Sequence, residues 1–173
     1  RSWITRHGGK PLLWKTGHSL IKAKMKETGA LLAGEMSGHV FFKERWYGFD
    51  DGLYAGARLL ELLSHAQDID AVLNGLPDAV CTPELQIKLK EGENYALIDE
   101  IRRTAHFDDA QEVITVDGLR VEYADGFGLM RPSNTTPVVV LRFEADTEQA
   151  LARIQGDFRK ALLGARPGLS LPF

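Results

Sequence analysis

Gly126-Phe127-Gly128-Leu129-Met130-Arg131-Pro132-Ser133-Asn134-Thr135-Thr136-Pro137 sets a polar loop between paired glycines and the apolar run Val138–Phe143. No long helix follows. Val138–Phe143 reads as a strand, so an anion held here would sit on loop amides and not on a helix dipole. Arg131 offers a planar fork that matches two phosphate oxygens at once. Ser133, Thr135 and Thr136 add hydroxyl donors, and Asn134 adds an amide on a residue that tolerates left-handed backbone. Pro132 and Pro137 fix φ at both flanks. The same residues also suit a polar hairpin turn whose hydroxyls bond its own backbone. Spacing alone leaves both readings open.

Working outward, Glu112–Val116 and Leu119–Tyr123 flank Asp117-Gly118, the signal of a two-residue hairpin. Leu85–Leu89 alternates as a strand, and Tyr95–Ala105 reads as a helix. Asp146 and Gln149 have capping-box spacing before a last helix whose stripe is Leu151, Ile154, Phe158 and Leu162. This half is an α+β unit, a small antiparallel sheet with helices on one face. Asn74-Gly75-Leu76-Pro77 and Thr82-Pro83 punctuate the chain before it and predict domains at 1–78 and 79–173.

The first half reads as a mixed α/β layer. Pro11–Trp14 is a strand candidate, and Thr16 or Ser19 could cap a helix carrying Leu20, Ile21 and Met25 up to Gly29. Ala30–Ala33 and Val40–Phe42 read as short strands. Asp50 and Asp51 open a helix whose predicted apolar face is Leu53, Ala57, Leu60 and Leu63.

Composition sets outer limits. The chain has 173 residues and one cysteine, Cys81, which excludes an internal disulfide and fits a reducing, cytoplasmic setting. No apolar run reaches membrane-spanning length. Residues 1–46 hold nine Lys and Arg against three Asp and Glu; the remainder hold twelve against twenty-one. A basic first quarter on an acidic chain suits an anionic ligand, although Lys22, Lys24 and Lys26 also read as a solvated helix face. Basic and aromatic residues do not interleave as nucleic-acid binding requires. Histidines 7, 65 and 106 sit at no metal-ligand spacing. The chain starts at Arg1 partway through an apparent element, which reads as a piece of something longer with an exposed sheet edge prone to self-association.

A second loop, Gly34-Glu35-Met36-Ser37-Gly38-His39, closes a strand between two glycines. A carboxylate and a hydroxyl two residues apart suit neighbouring hydroxyls of a sugar ring, though such a turn also serves as a plain strand connection. Taken with Arg131–Pro137, with Trp14-Lys15-Thr16-Gly17-His18-Ser19, Phe49-Asp50-Asp51-Gly52 and the ending Leu171-Pro172-Phe173, it closely resembles the bacterial phosphomannomutase/phosphoglucomutase enzymes of the α-D-phosphohexomutase superfamily. The resemblance is collinear over essentially the whole chain.

That resemblance implies the C-terminal part of a four-domain enzyme: most of a sugar-recognising third domain, without its first strand, and a complete phosphate-binding fourth domain. Such enzymes interconvert 1-phospho and 6-phospho forms of mannose or glucose. A phosphoserine and Mg2+ in upstream domains act through a reorienting glucose 1,6-bisphosphate, in the supply of precursors for exopolysaccharide. Carried over, Glu35 and Ser37 hold sugar hydroxyls, with Met36, Gly38 and His39 completing the loop, and His18 approaches the sugar phosphate. Arg131, Ser133, Asn134 and Thr135, with Pro132 in the loop backbone, grip the phosphate that is not reacting. Neither a serine loop of the Thr-Ala-Ser-His-Asn-Pro type nor an Asp-Gly-Asp-Gly-Asp-Arg loop occurs here. The segment alone is therefore expected to be catalytically dead. A phosphoglucosamine mutase, which usually has Gln at the Met36 position, and a non-catalytic sugar-phosphate binding module are the alternatives.

Overall fold

A computed structural model describes residues 1–173, which form two compact units, Arg1–Pro77 and Asp78–Phe173. The first holds α1 (Ser2–Arg6), α2 (His18–Thr28), β1 (Leu32–Gly34), β2 (Val40–Phe42), α3 (Gly52–Ser64) and α4 (Ile69–Asn74). β1 and β2 form an antiparallel pair, Leu32 opposite Phe42 and Gly34 opposite Val40. Its core is small: Ile21 and Met25 from α2 close on Phe41, with Ala30 and Ala33 beside them. Gly29 ends α2 in the left-handed conformation at φ 73°, which a side chain would resist.

Three expectations for this unit fail. Pro11–Trp14 pairs with no strand; Trp14 instead lays its ring 4.1 Å from the Lys24 ammonium, so the segment is spent on α2. Neither Thr16 nor Ser19 occupies the N-cap of α2, which falls to Gly17. The stripe expected inside α3 lies outside, with Leu53 91% and Leu60 69% exposed. The opposite side of α3 meets β2 instead, where Tyr54 sits edge-on to Phe42 and Arg58 lies over the same ring. Asp51 does cap α3, accepting from the Tyr54 amide at 2.9 Å.

The second unit is a sheet of β3 (Val80–Cys81), β4 (Leu85–Lys88), β5 (Glu112–Ile114), β6 (Leu119–Tyr123), β7 (Gly126–Pro132) and β8 (Val138–Ala145), with helices α5 (Glu93–Thr104) and α6 (Glu148–Ala165). Strand order is β3-β8-β7-β6-β5, and β4 pairs with β8 beside β3; every pairing is antiparallel. Alternation along the strands decides which residues face the helices. Val121 of β6, Met130 of β7, and Val139, Leu141 and Phe143 of β8 are buried with Leu97, Ile98 and Ile101 of α5 and Ile154, Phe158 and Leu162 of α6. Phe158 sits edge-on to Phe143 at 5.2 Å, and the terminal Phe173 ring reaches Phe143 at 4.9 Å. The stripe Leu151, Ile154, Phe158 and Leu162 is buried as its spacing requires.

Two local readings shift here. Asp146 is not the cap of α6; Thr147 accepts from the Ala150 amide at 3.2 Å. The turn between β5 and β6 spans Thr115–Gly118 and is not a two-residue hairpin, because the β5–β6 pairing closes at Ile114 opposite Arg120.

Candidate functional site

In the first unit, β1 turns into β2 through Glu35–His39, a tight loop in which the Glu35 amide bonds the His39 carbonyl at 2.8 Å and the Gly38 amide bonds the Glu35 carbonyl at 3.0 Å. Gly38 stands at φ 91°, a value that favours glycine. The Glu35 carboxylate is fixed from across the unit: the Gly17 amide donates to Oε1 at 2.7 Å. Gly17 itself holds φ 128° and starts α2, so exposed His18 stands one peptide bond from the Glu35 anchor. The structure thus gathers His18 and Glu35 at one place. Ser37 Oγ reaches Glu35 Oε2 only at 3.4 Å, leaving that oxygen with acceptor capacity to spare. Met36 projects outward, and His39 Nδ1 lies 2.7 Å from Asp50 Oδ2. Asp50, read from sequence as a helix opener, orients His39 instead; nothing in the spacing of positions 39 and 50 signalled that pairing.

In the second unit the polar loop is shorter than the sequence suggested. Arg131 and Pro132 are the last residues of β7, opposite Val140 and Val139, and the loop proper is Ser133–Pro137. β6 stops opposite Met130, so the missing N–H of Pro132 breaks no ladder on that side. Alternation puts Arg131 on the sheet face opposite the helices. It is half-buried and takes part in no ion pair. Other arginines are committed: Arg45 forks onto Glu61 at 2.9 and 2.6 Å, and Arg58 lies 2.6 Å from Glu44. Those pairings hold Glu61 (through Arg45) and Glu44 (through Arg58) below the ordinary carboxylate range, and push the Arg45 guanidinium further up.

The loop is partly self-bonded, as the plain-turn reading had it. Ser133 Oγ accepts from the Thr135 and Thr136 amides at 3.3 Å each and lies 3.0 Å from Thr136 Oγ1. Asn134, which would tolerate left-handed backbone, does not adopt it here; Arg45, at φ 58°, is the non-glycine residue that does. Two residues of α5 that sequence reasoning passed over touch the loop. Asn94, the one buried polar side chain, donates to the Ser133 carbonyl at 3.1 Å, and Tyr95 Oη donates to Asn134 Oδ1 at 3.1 Å. Gly118 at φ 79° packs directly under Arg131: a Cβ there would lie 2.6 Å from the Arg131 Cα.

No three His, Cys, Asp or Glu side chains converge to hold a metal ion, and Asp50 and Asp51 are occupied by His39 and the cap of α3. These residues do not fit a magnesium site. No helix is long and apolar enough to cross a membrane.

Comparison with known proteins gives a consistent set. One family model, described as phosphoglucomutase/phosphomannomutase, alpha/beta/alpha domain III, matches residues 1–80; another, described as phosphoglucomutase/phosphomannomutase, C-terminal domain, matches residues 84–161. A phosphoglucomutase of Neisseria meningitidis is 62% identical over 171 residues, 98% of this chain and 37% of that protein. A phosphomannomutase/phosphoglucomutase of Pseudomonas aeruginosa is 56% identical over the same shares of both. The crystal structure of a phosphoglucomutase/phosphomannomutase family protein from Burkholderia thailandensis matches at a TM-score of 0.93 and 68% identity, over 99% of this chain and 36% of that one. The chain spans little more than a third of the length of these relatives.

Proposed function

This chain belongs to the phosphoglucomutase/phosphomannomutase family, and we propose that it forms the substrate-recognition part of a phosphohexose mutase. The unit around Glu35 reads the sugar. Its carboxylate, anchored through one oxygen by the Gly17 amide, offers the other to ring hydroxyls, with Ser37 beside it and His18 at the same end. The unit around Arg131 holds phosphate. The observation that carries the reading is an unpaired, half-buried guanidinium at a strand end, followed at once by a turn of hydroxyls and amides. A fork of that kind left without a carboxylate is set for an anion.

Neither group of residues breaks or makes a bond. Phosphoryl transfer depends mostly on positioning and charge compensation, and this chain supplies the positioning. The phosphoserine, the Mg2+ and the turnover through glucose 1,6-bisphosphate belong to the intact mutase, and the chain alone interconverts no hexose phosphates. A coupled assay of glucose 1-phosphate conversion with the 173-residue chain checks this; measurable turnover would overturn it.

Well-made charge-assisted hydrogen bonds contribute about 1.5–3 kcal/mol each, and association costs offset several of them. Dissociation constants for glucose 1-phosphate of about 0.1 to several mM follow. Arg131→Lys keeps the charge but loses the fork, and weakens glucose 1-phosphate binding about tenfold or more. Equal binding by native and Arg131→Lys chains would remove Arg131 from the site.

A further inference from the structure

We infer that Asn94 and Tyr95, in the first turn of α5, are positioning residues that set the Ser133–Thr136 loop for an anion by tying down its acceptors and turning its donors outward. The inference rests on the phosphate-binding reading of that loop.

An anion is attracted by N–H and O–H groups and repelled by carbonyl oxygens, so a phosphate loop must dispose of its own carbonyls. Here four carbonyls at the ends of the loop, those of Ser133, Thr136, Pro137 and Val138, are engaged. The Ser133 carbonyl accepts from Asn94 Nδ2 at 3.1 Å. The same nitrogen lies 3.5 Å from the Val138 carbonyl, which the Ser133 amide already bonds at 2.9 Å. The Thr136 carbonyl accepts from the Val138 amide at 2.8 Å, and the Pro137 carbonyl from the Leu89 amide at 2.9 Å. Asn94 is the one member of this set that is a side chain, and it is 2% exposed. A buried polar group with both donors aimed at one turn is costly to keep unless that turn needs holding.

Tyr95 acts on the other kind of group. Its hydroxyl donates to Asn134 Oδ1 at 3.1 Å, so the acceptor end of that amide is engaged. The Nδ2 end, with two donors, is then turned away from Tyr95 and free for the ligand. The carboxylate of neighbouring Glu93 is engaged elsewhere: its Oε2 accepts from the Lys90 amide at 3.0 Å. The donors left for a ligand include the Thr135 and Thr136 amides, held only by long bonds to Ser133 Oγ, with Arg131 alongside.

The test is an NMR titration of the native chain, Tyr95→Phe and Asn94→Leu with glucose 1-phosphate. It follows the loop amides and the Asn134 side-chain NH2 pair. Tyr95→Phe removes one oxygen from a partly exposed ring and leaves the fold intact. It is expected to raise the dissociation constant about three- to tenfold, the value of one hydrogen bond, and to move the free-state Asn134 NH2 resonances without moving the unfolding midpoint. Asn94→Leu is expected to broaden the Ser133–Thr136 amides and weaken binding further. Native binding matched by both variants, with unmoved Asn134 resonances in Tyr95→Phe, would overturn the assignment while leaving the phosphate reading intact. A native chain whose loop stays unshifted at several mM ligand would overturn both.

Discussion

Gly118→Ala joins the fold of the second unit to its candidate site in one substitution. Gly118 stands at φ 79°, where a Cβ costs about 1–2 kcal/mol from local sterics. That Cβ would also lie 2.3 Å from the Met130 carbonyl oxygen, 2.6 Å from the Arg131 Cα and 2.7 Å from the Arg131 Cβ. Two of these are backbone atoms of an inner strand and cannot rotate aside, so overpacking adds about 1–3 kcal/mol. The sum, about 2–5 kcal/mol, is a large share of the about 5–15 kcal/mol that holds an ordinary domain together. Urea unfolding followed by the amide resonances of β6 and β7 reads it directly. Gly156→Ala is the control: it lies inside α6 with nothing within 4 Å of its Cβ, and should stabilise by about 0.5–1 kcal/mol. Because relief of the clash must move Arg131, the surviving folded fraction of Gly118→Ala should also bind glucose 1-phosphate more weakly. A Gly118→Ala chain within about 0.5 kcal/mol of native would refute the packing argument.

Three further outcomes are expected. Burial, aided by the nearby Asp157 carboxylate, pushes the Tyr123 phenol above its ordinary value. With the folded pKa raised above an unfolded value of about 10, the second unit keeps full stability below that pH and loses it as pH rises beyond. Tyr123→Phe should flatten this alkaline limb in urea titrations; an unchanged limb would contradict it. Glu35→Gln replaces a charge-assisted bond from the Gly17 amide with a neutral one, and should shift the Gly17 and His18 resonances and weaken sugar-dependent binding by about 1 kcal/mol. The outer edge of β1 in the two-stranded β1–β2 sheet pairs with no strand, and sedimentation should show concentration-dependent self-association of the chain; a clean monomer at high concentration would speak against it.

How much of this was legible in the sequence differs between the units. In the second, the periodic signals agreed with the fold, alternation in Leu119–Tyr123 and a 3.6-residue stripe from Leu151 to Leu162, while the cap of α6 and the length of the β5–β6 turn were each read slightly off. Helix and strands buried what their periods said they would. In the first, periodicity misled. The leucines of α3 have helical spacing, yet the contacts that place the helix come from Tyr54 and Arg58 on its other side. Period identifies an apolar face but not what covers it. The candidate loops were legible because glycine, proline and hydroxyl residues cluster in them. Their supports were not: Asn94 reaches a carbonyl 39 positions away and Asp50 reaches His39 across a strand, and contacts that cross elements leave no local pattern. Gly118 carried a readable turn signal, but its closeness to Arg131 depends on strand register, which spacing alone did not supply.

The central claim is that this chain recognises the phosphate of a sugar phosphate through Arg131–Thr136 and the sugar through the Glu35 loop. An NMR titration with glucose 1,6-bisphosphate, with free glucose as the control, tests it most directly. The expected result is saturable shifts confined to Arg131–Thr136 and to Glu35–His39 with the bisphosphate, and none at Arg131–Thr136 with glucose. Unmoved resonances at several mM bisphosphate, or equal shifts with glucose, would contradict it.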